Sequence, residues 1–294
     1  MADDAYDWRF TEDLEEFLGC AGAFLRSEPA RHTVQLTVAE RLRSRAPGAF
    51  GEGTPYFGRL TDGGGNVRAT VLRTPPHQLN LTAFGADDAD ALAARLAEDG
   101  RALPGAGGPA ETAAVFAAAW ERRTGATARL EVRQRLYRLG TLTPPEPAPP
   151  GSARVATPDD RELVARWYAA FCADVGERAG QDADRWAEDR LAYGGITLWE
   201  TPDGAPVALA SVTPEVAGQV RVATVYTPAP LRGRGYAGAV TTAVSRAAAD
   251  SGAKEVLLFT DLSNPTSNGL YQRLGYRPVA DFAVYALGDA AEET

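Results

Sequence analysis

The stretch Val225-Tyr226-Thr227-Pro228-Ala229-Pro230-Leu231-Arg232-Gly233-Arg234-Gly235-Tyr236-Ala237 sets the reading of the whole chain. Val220, Val222 and Val225 give it β-branched strand character, and Pro228 and Pro230 stop that strand. Three features after Leu231 suit an anion. Gly233 and Gly235 let the backbone approach a ligand, a helix starting here leaves N–H groups unpaired, and Arg232 and Arg234 add positive charge. Ala237, Val240, Val244 and Ala247 recur at helical spacing, and Gly252 suits the helix end. No Gly-Lys-Ser/Thr follows, which excludes a nucleotide P-loop, and the glycines lack the G-x-G-x-x-G spacing of a dinucleotide site.

Downstream, Leu257 to Tyr276 reads as strand, loop and helix. Asn264 is a natural N-cap, Pro265 suits the first helical position, and Gly275 ends the helix. Asn264, Asn268 and Tyr271 are not demanded by packing, and Asn268 and Tyr271 share a helix face. A lone tyrosine of this kind is more often a core aromatic with a satisfied hydroxyl. Its position after the Gly-Arg loop reverses that preference.

Together the two stretches resemble the GCN5-related N-acetyltransferases (GNAT). Arg232-x-x-Gly235-x-Ala237 is similar to that family's R/Q-x-x-G-x-G/A loop, and Asn264 to Tyr276 to its N-x-x-[SA]-x-x-x-Y-x-x-x-G-[FY] segment. The resemblance spans roughly residues 152–294. It implies an α/β (α+β) fold whose mixed, mostly antiparallel sheet is flanked by helices, with a splayed central strand pair. It implies acetyl-CoA as co-substrate, with its pyrophosphate on Arg232, Gly233, Arg234, Gly235, Tyr236 and Ala237. The pantetheine arm would lie along Val225, Tyr226 and Thr227 and near Asn264 and Asn268. The Val225 N–H would polarise the thioester carbonyl, and Tyr271 would be the general acid that protonates the departing thiolate. A primary amine of a small molecule or peptide would attack directly. The resemblance leaves the base open among Glu200, Glu215 and Asp261, each equally explained by solvation or a turn. Trp167, Tyr168 and Phe171 lie on a helix that often lines the family's acceptor pocket, although aromatics at such spacing are usually core. Two alternatives remain open: the same fold with a carrier-protein or aminoacyl-tRNA donor, and a non-catalytic acyl-CoA-binding module.

The 294 residues suit two domains, and 45% hydrophobic with 23% charged residues are ordinary for a globular protein. A net charge of −9 argues against nucleic acid or an anionic membrane as partner. Absence of a long apolar run and an acidic Met1-Ala2-Asp3-Asp4 start lead to a cytoplasmic expectation. Cys20 and Cys172 are isolated, and His32 and His77 have no nearby ligand partners, so no metal is expected.

Thr143-Pro144-Pro145-Glu146-Pro147-Ala148-Pro149-Pro150-Gly151 holds five prolines in nine residues and reads as an extended connector. It divides the chain into an N-terminal lobe (1–142), a linker (143–151) and a catalytic lobe (152–294). The first lobe reads ααβββαβαβ, with its hairpin at Asp62 to Asn66, and the second repeats that layout with its hairpin at Thr201 to Gly204. The halves therefore read as tandem GNAT-like folds, the first degenerate. At the matching helix start the first lobe has Gly85-Ala86-Asp87-Asp88-Ala89-Asp90, whose carboxylates would repel a pyrophosphate with no arginine to offset them. A two-lobed chain can also cover internally the sheet surface that single-domain relatives bury by dimerising. A monomer is expected on that ground, with a homodimer as the alternative.

Overall fold

A computed structural model describes residues 7–44, 53–176 and 182–288. The first half runs β1 (Trp8–Thr11), α1 (Leu14–Ser27), α2 (Thr33–Arg43), β2 (Tyr56–Thr61), β3 (Val67–Arg73), β4 (Leu79–Leu81), α3 (Ala86–Glu98), β5 (Gly105–Pro109), α4 (Ala110–Thr124) and β6 (Thr127–Leu139). The second runs β7 (Ser152–Val155), α5 (Arg161–Val175), α6 (Ala183–Leu191), β8 (Ile196–Glu200), β9 (Pro206–Val212), β10 (Gln219–Tyr226), α7 (Tyr236–Asp250), β11 (Glu255–Asp261), α8 (Pro265–Arg273) and β12 (Tyr276–Gly288). Short 3-10 turns at Pro158–Asp160 and Ala229–Leu231 apart, the two halves repeat one order, βααβββαβαβ. The sequence reading lacks only β1, whose four residues are too short for periodicity to reveal.

The chain forms two compact units, but not the two contiguous stretches expected from the Pro-rich segment. One comprises Met1–Arg135, Asp261–Ser263 and Val279–Thr294; the other comprises Leu136–Thr260 and Asn264–Pro278. The closing strands are exchanged. In the first unit the strand order is β1-β2-β3-β4-β5-β12, with Phe282 to Ala286 antiparallel to Pro109 to Gly105. In the second it is β7-β8-β9-β10-β11-β6. Each sheet is antiparallel except at one parallel pair, β4/β5 and β10/β11, among the registers that are resolved.

In the first unit Trp8, Leu60, Val71, Leu79, Leu92, Leu96, Phe116 and Trp120 fill the space under α3 and α4. On the other face of that sheet Phe17 of α1 stacks on Phe57 of β2, their centroids 5.0 Å apart. The second unit has two cores. Val220, Val222, Val240, Val244, Val256 and Leu258 share one with Tyr271, Leu274 and Tyr276; Val164, Trp167, Trp186, Ile196, Leu198 and Leu209 make the other. The alternation of β8 to β11 sends one set of side chains to each helix layer.

The Pro-rich connector is docked on the second unit. Thr143 N–H donates to Leu274 C=O (3.0 Å), and the Trp199 indole donates to Pro150 C=O (3.1 Å). The Pro149 ring lies 3.6–3.7 Å from where a side chain on Gly235 would begin, and Pro145 3.8 Å from the same point on Gly238. These prolines therefore pack beside the start of α7.

Candidate functional site

Strands β10 and β11 run parallel in register from Gln219↔Glu255 to Val222↔Leu258, and the pairing stops there while both strands continue. The cause lies on the other side of β10. Its register with β9 passes from Val222↔Val212 to Val225↔Ala210, so β10 carries one extra residue. Such a bulge bends its strand. The Thr224 N–H, displaced from the ladder, donates to Ser211 Oγ (2.9 Å). Beyond Val222 the β11-facing edge of β10 is therefore open at Val225 and Tyr226. Thr227 follows, and its buried Oγ1 has no hydrogen-bond partner among the described residues. Buried polar atoms are rarely left so, and one just beyond the open edge of β10 fits a polar ligand.

The first unit closes the equivalent gap. There β4 and β5 pair through Leu79↔Ala106 and Asn80↔Gly107. A side chain on Gly108 would begin 2.7 Å from Leu81 O, so only glycine permits the two strands to stay together one residue further.

After β10 the chain makes the Ala229–Leu231 turn and reaches α7 through two left-handed glycines, Gly233 at φ +77° and Gly235 at φ +83°. Gly235 is the N-cap, and the first helical bond is Ala239 N–H to Gly235 C=O (3.0 Å). The N–H groups of Tyr236, Ala237 and Gly238 thus have no partner within the helix. Both arginines are turned onto their own surroundings. Arg232 Nε donates to Thr227 C=O (2.9 Å) and its Nη2 pairs with Asp174 of α5; Arg234 donates to Pro230 C=O (3.2 Å). They stiffen the loop, and the donors it leaves without a helical partner are those of the backbone.

The matching start of α3 is built differently. Its N-cap, Gly85, has φ −92° rather than a left-handed conformation. The expectation that no arginine offsets the acidic residues there is wrong: Arg68 of β3 grips buried Asp88 with both terminal nitrogens, Nη1 to Oδ2 at 2.7 Å. That partner lies twenty residues upstream and meets α3 only once the sheet has formed. A cavity of about 470 Å³ opens beside it, between Arg68, Asp87 and the Asp62-Gly63 turn.

On α8, Asn264 Oδ1 caps the Ser267 N–H (3.0 Å). Asn268 Nδ2 donates to Asn264 C=O (2.8 Å), while its Oδ1 accepts from Tyr137 Oη (2.9 Å). Gln272 Nε2 donates to the same Tyr137 oxygen (3.0 Å). Tyr137 is fully buried, and no sequence motif singles it out. The one signal for it was the shared texture of Arg135-Leu136-Tyr137-Arg138-Leu139 and Ala283-Val284-Tyr285-Ala286-Leu287, which marks closing strands without saying which sheet each closes.

Tyr271 is 8% exposed, and its hydroxyl makes no hydrogen bond among the described residues. Its ring meets Tyr276 edge-on, centroids 6.1 Å apart. Burial, and secondarily Tyr276, push its pKa well above the ordinary tyrosine value, so it holds its proton throughout the neutral range. Tyr276 shares a 2.7 Å hydrogen bond with Ser245, and burial pushes it up to about 12.

Of the possible bases, Glu200 is held by Arg154 (2.7 Å), which also grips Asp160. Asp261 accepts the Ser263 N–H (2.7 Å) as a turn residue, and Glu215 is exposed. Trp167 is buried with its ring 6.0 Å from that of Tyr226, and Tyr168 stacks on Trp186 at 4.0 Å. Arg221 of β10 lies 5.9 Å from the centre of the Phe259 ring; burial and the neighbouring Arg190 charge lower its pKa to about 10. Among the described residues no cluster of three or more His, Cys, Asp or Glu could hold a metal, and no helix is long and apolar enough to cross a membrane.

The Acetyltransferase (GNAT) family model matches residues 161–276, the segment that holds the parted strands, the glycine loop and α8. Residues 161–276 thus resemble a GNAT acetyltransferase domain. The fold of the chain also matches solved GNAT structures over nearly the whole length. A GCN5-related N-acetyltransferase from Sphaerobacter thermophilus is 18% identical, with 97% of this chain and 96% of that one covered at a TM-score of 0.61. One from Kribbella flavida is 20% identical, covering 91% and 96% at 0.54. A tandem GNAT protein from the clavulanic acid biosynthesis pathway is 13% identical, covering 98% and 100% at 0.54. At these identities the likeness is one of fold. No curated protein sequence matches the chain. GNAT enzymes use acetyl-CoA as co-substrate.

Proposed function

We propose that the protein is an acyl-CoA-dependent N-acyltransferase that moves acetyl from acetyl-CoA to a primary amine of a small molecule or peptide. One contrast carries the reading. The second unit parts its parallel strand pair and leads it into a left-handed glycine loop; the first keeps the equivalent pair closed and places acids at the equivalent helix start. One site per chain follows, formed by residues 136–260 with 264–278 rather than by a contiguous 152–294.

The backbone donors from Gly233 to Ala237 take the pyrophosphate, and the open edge at Val225 to Thr227 pairs with the pantetheine amides as an added strand. The Thr227 hydroxyl supplies a further polar partner. The Val225 N–H polarises the thioester carbonyl. The amine nitrogen attacks that carbon, the C–N bond forms, and the C–S bond breaks. Tyr271 gives its proton to the departing thiolate, and the proton lost by the amine passes to water and returns to the tyrosine. Raised above its ordinary pKa, Tyr271 starts every turnover protonated. The acceptor enters from the side of α5 and α6, where Trp167 and Tyr226 meet. We infer a monomeric cytoplasmic enzyme.

Full-length protein, acetyl-CoA and a panel of amines, followed by release of free thiol, test the reading. Tyr271→Phe should lower kcat about 10- to 100-fold while CoA affinity holds, as expected for loss of an acid catalyst. An unchanged kcat would remove the assignment. Absence of calorimetric CoA binding by the wild-type chain would remove the co-substrate.

A further inference from the structure

We propose that Tyr137 is a positioning residue of this acyl-CoA site: its hydroxyl holds the first turn of α8, and with it Asn264 and Asn268, in place against the ligand. The inference rests on the function proposed above and adds a residue from the far side of the Pro-rich connector. Helix α8 has only nine residues, so it cannot fix its own orientation. Its end is anchored by Gly140 N–H to Gly275 C=O and Thr143 N–H to Leu274 C=O, both 3.0 Å. Its start is anchored by Tyr137.

The hydroxyl donates to Asn268 Oδ1 and accepts from Gln272 Nε2, so both roles of the phenol oxygen are used in a buried setting. The bond sets which way the Asn268 carboxamide points. The amide nitrogen then fastens Asn264 C=O, and Asn264 in turn caps Ser267. Tyr271 stands between Asn268 and Gln272, and its own hydroxyl has no bond to aim it. The placement of the helix therefore aims it. Packing alone would be served equally by phenylalanine at 137; the hydroxyl contributes direction.

Tyr137→Phe keeps the ring and removes the two bonds. In the full-length chain the dissociation constant for CoA, by calorimetry, and the KM for acetyl-CoA should each rise about tenfold, the size of losing one hydrogen bond to a buried partner. The acceptor KM should hold. Asn268→Ala should raise the same two constants, and the double variant should bind CoA no more weakly than Asn268→Ala alone. Fully additive losses, or a lowered thermal midpoint with CoA affinity unchanged, overturn the proposal. If Tyr137→Phe does not fold, Gln272→Ala is read in its place, with an expected rise of about threefold in the CoA dissociation constant; no rise overturns it. Wild-type protein that fails to bind CoA overturns the proposed function as well, whereas tight wild-type binding with an indifferent Tyr137→Phe overturns the positioning role alone.

Discussion

Gly235 occupies a left-handed conformation at φ +83° with the Pro149 ring packed beside it. Alanine there meets a backbone penalty of about 1–2 kcal/mol. Gly235→Ala should lower unfolding stability by that amount in urea titration and weaken CoA binding, because the N–H groups of the loop lose their common aim. The tyrosines allow a test by pH. Tyr271 and Tyr276 both have pKa values raised by burial, so the folded chain keeps protons that the unfolded chain gives up near pH 10. Their contribution to stability is whole below about pH 10 and is lost as pH rises towards the folded values, about 12 for Tyr276. Stability measured between pH 9 and 12 should fall, and Tyr276→Phe should flatten part of that fall.

At this scale the backbone conformations of the candidate site were legible: Gly233 and Gly235 are left-handed and Asn264 is an N-cap, and these are local needs. What the side chains do was not. Arg232 and Arg234 look like ligands for an anion when only their spacing is known, yet each finds a carbonyl of its own loop. Tyr137, Arg68 and Asp174 act on residues 131, 20 and 58 positions away, and no local pattern carries such a pairing.

Among the elements, the hairpins and helices of both halves follow from turn chemistry and periodicity. The Thr201 to Gly204 turn closes with Gly204 N–H to Thr201 C=O at 2.8 Å, and Gly204 is left-handed as such a turn requires. Strand β5 is the hard case. Gly-Ala-Gly-Gly-Pro has almost no strand propensity, and tertiary closeness alone makes it one. The same closeness leaves no gap between β4 and β5. The parting of β10 and β11 rests on a bulge of one residue, which is invisible as long as only the alternation of side chains is known.

At the scale of the whole molecule, the two-lobed repeat was readable and the exchange of closing strands was not. Strands β6 and β12 are both thirteen residues long and share the texture of Leu136-Tyr137-Arg138-Leu139 and Val284-Tyr285-Ala286-Leu287, so neither feature says which sheet each closes. A fragment of residues 152–294 lacks the Tyr137 segment and presents the end of β12 without β5. It should be unfolded or aggregated by circular dichroism and size exclusion, while fragments 1–142 and 143–294 expressed together should copurify. A folded, CoA-binding 152–294 would count against any contribution from β6.

The exchange also orders events in time. A chain emerging from the ribosome at about 5–20 residues per second ordinarily folds its first domain first. Here the first unit lacks its sixth strand until β12 has been made, after every strand of the second unit. The second unit, by contrast, already has β6 waiting when β11 appears. The half translated earlier is thus the half completed later, and β5 stays an open edge for most of synthesis, carried by three glycines and a proline that invite little pairing with strangers.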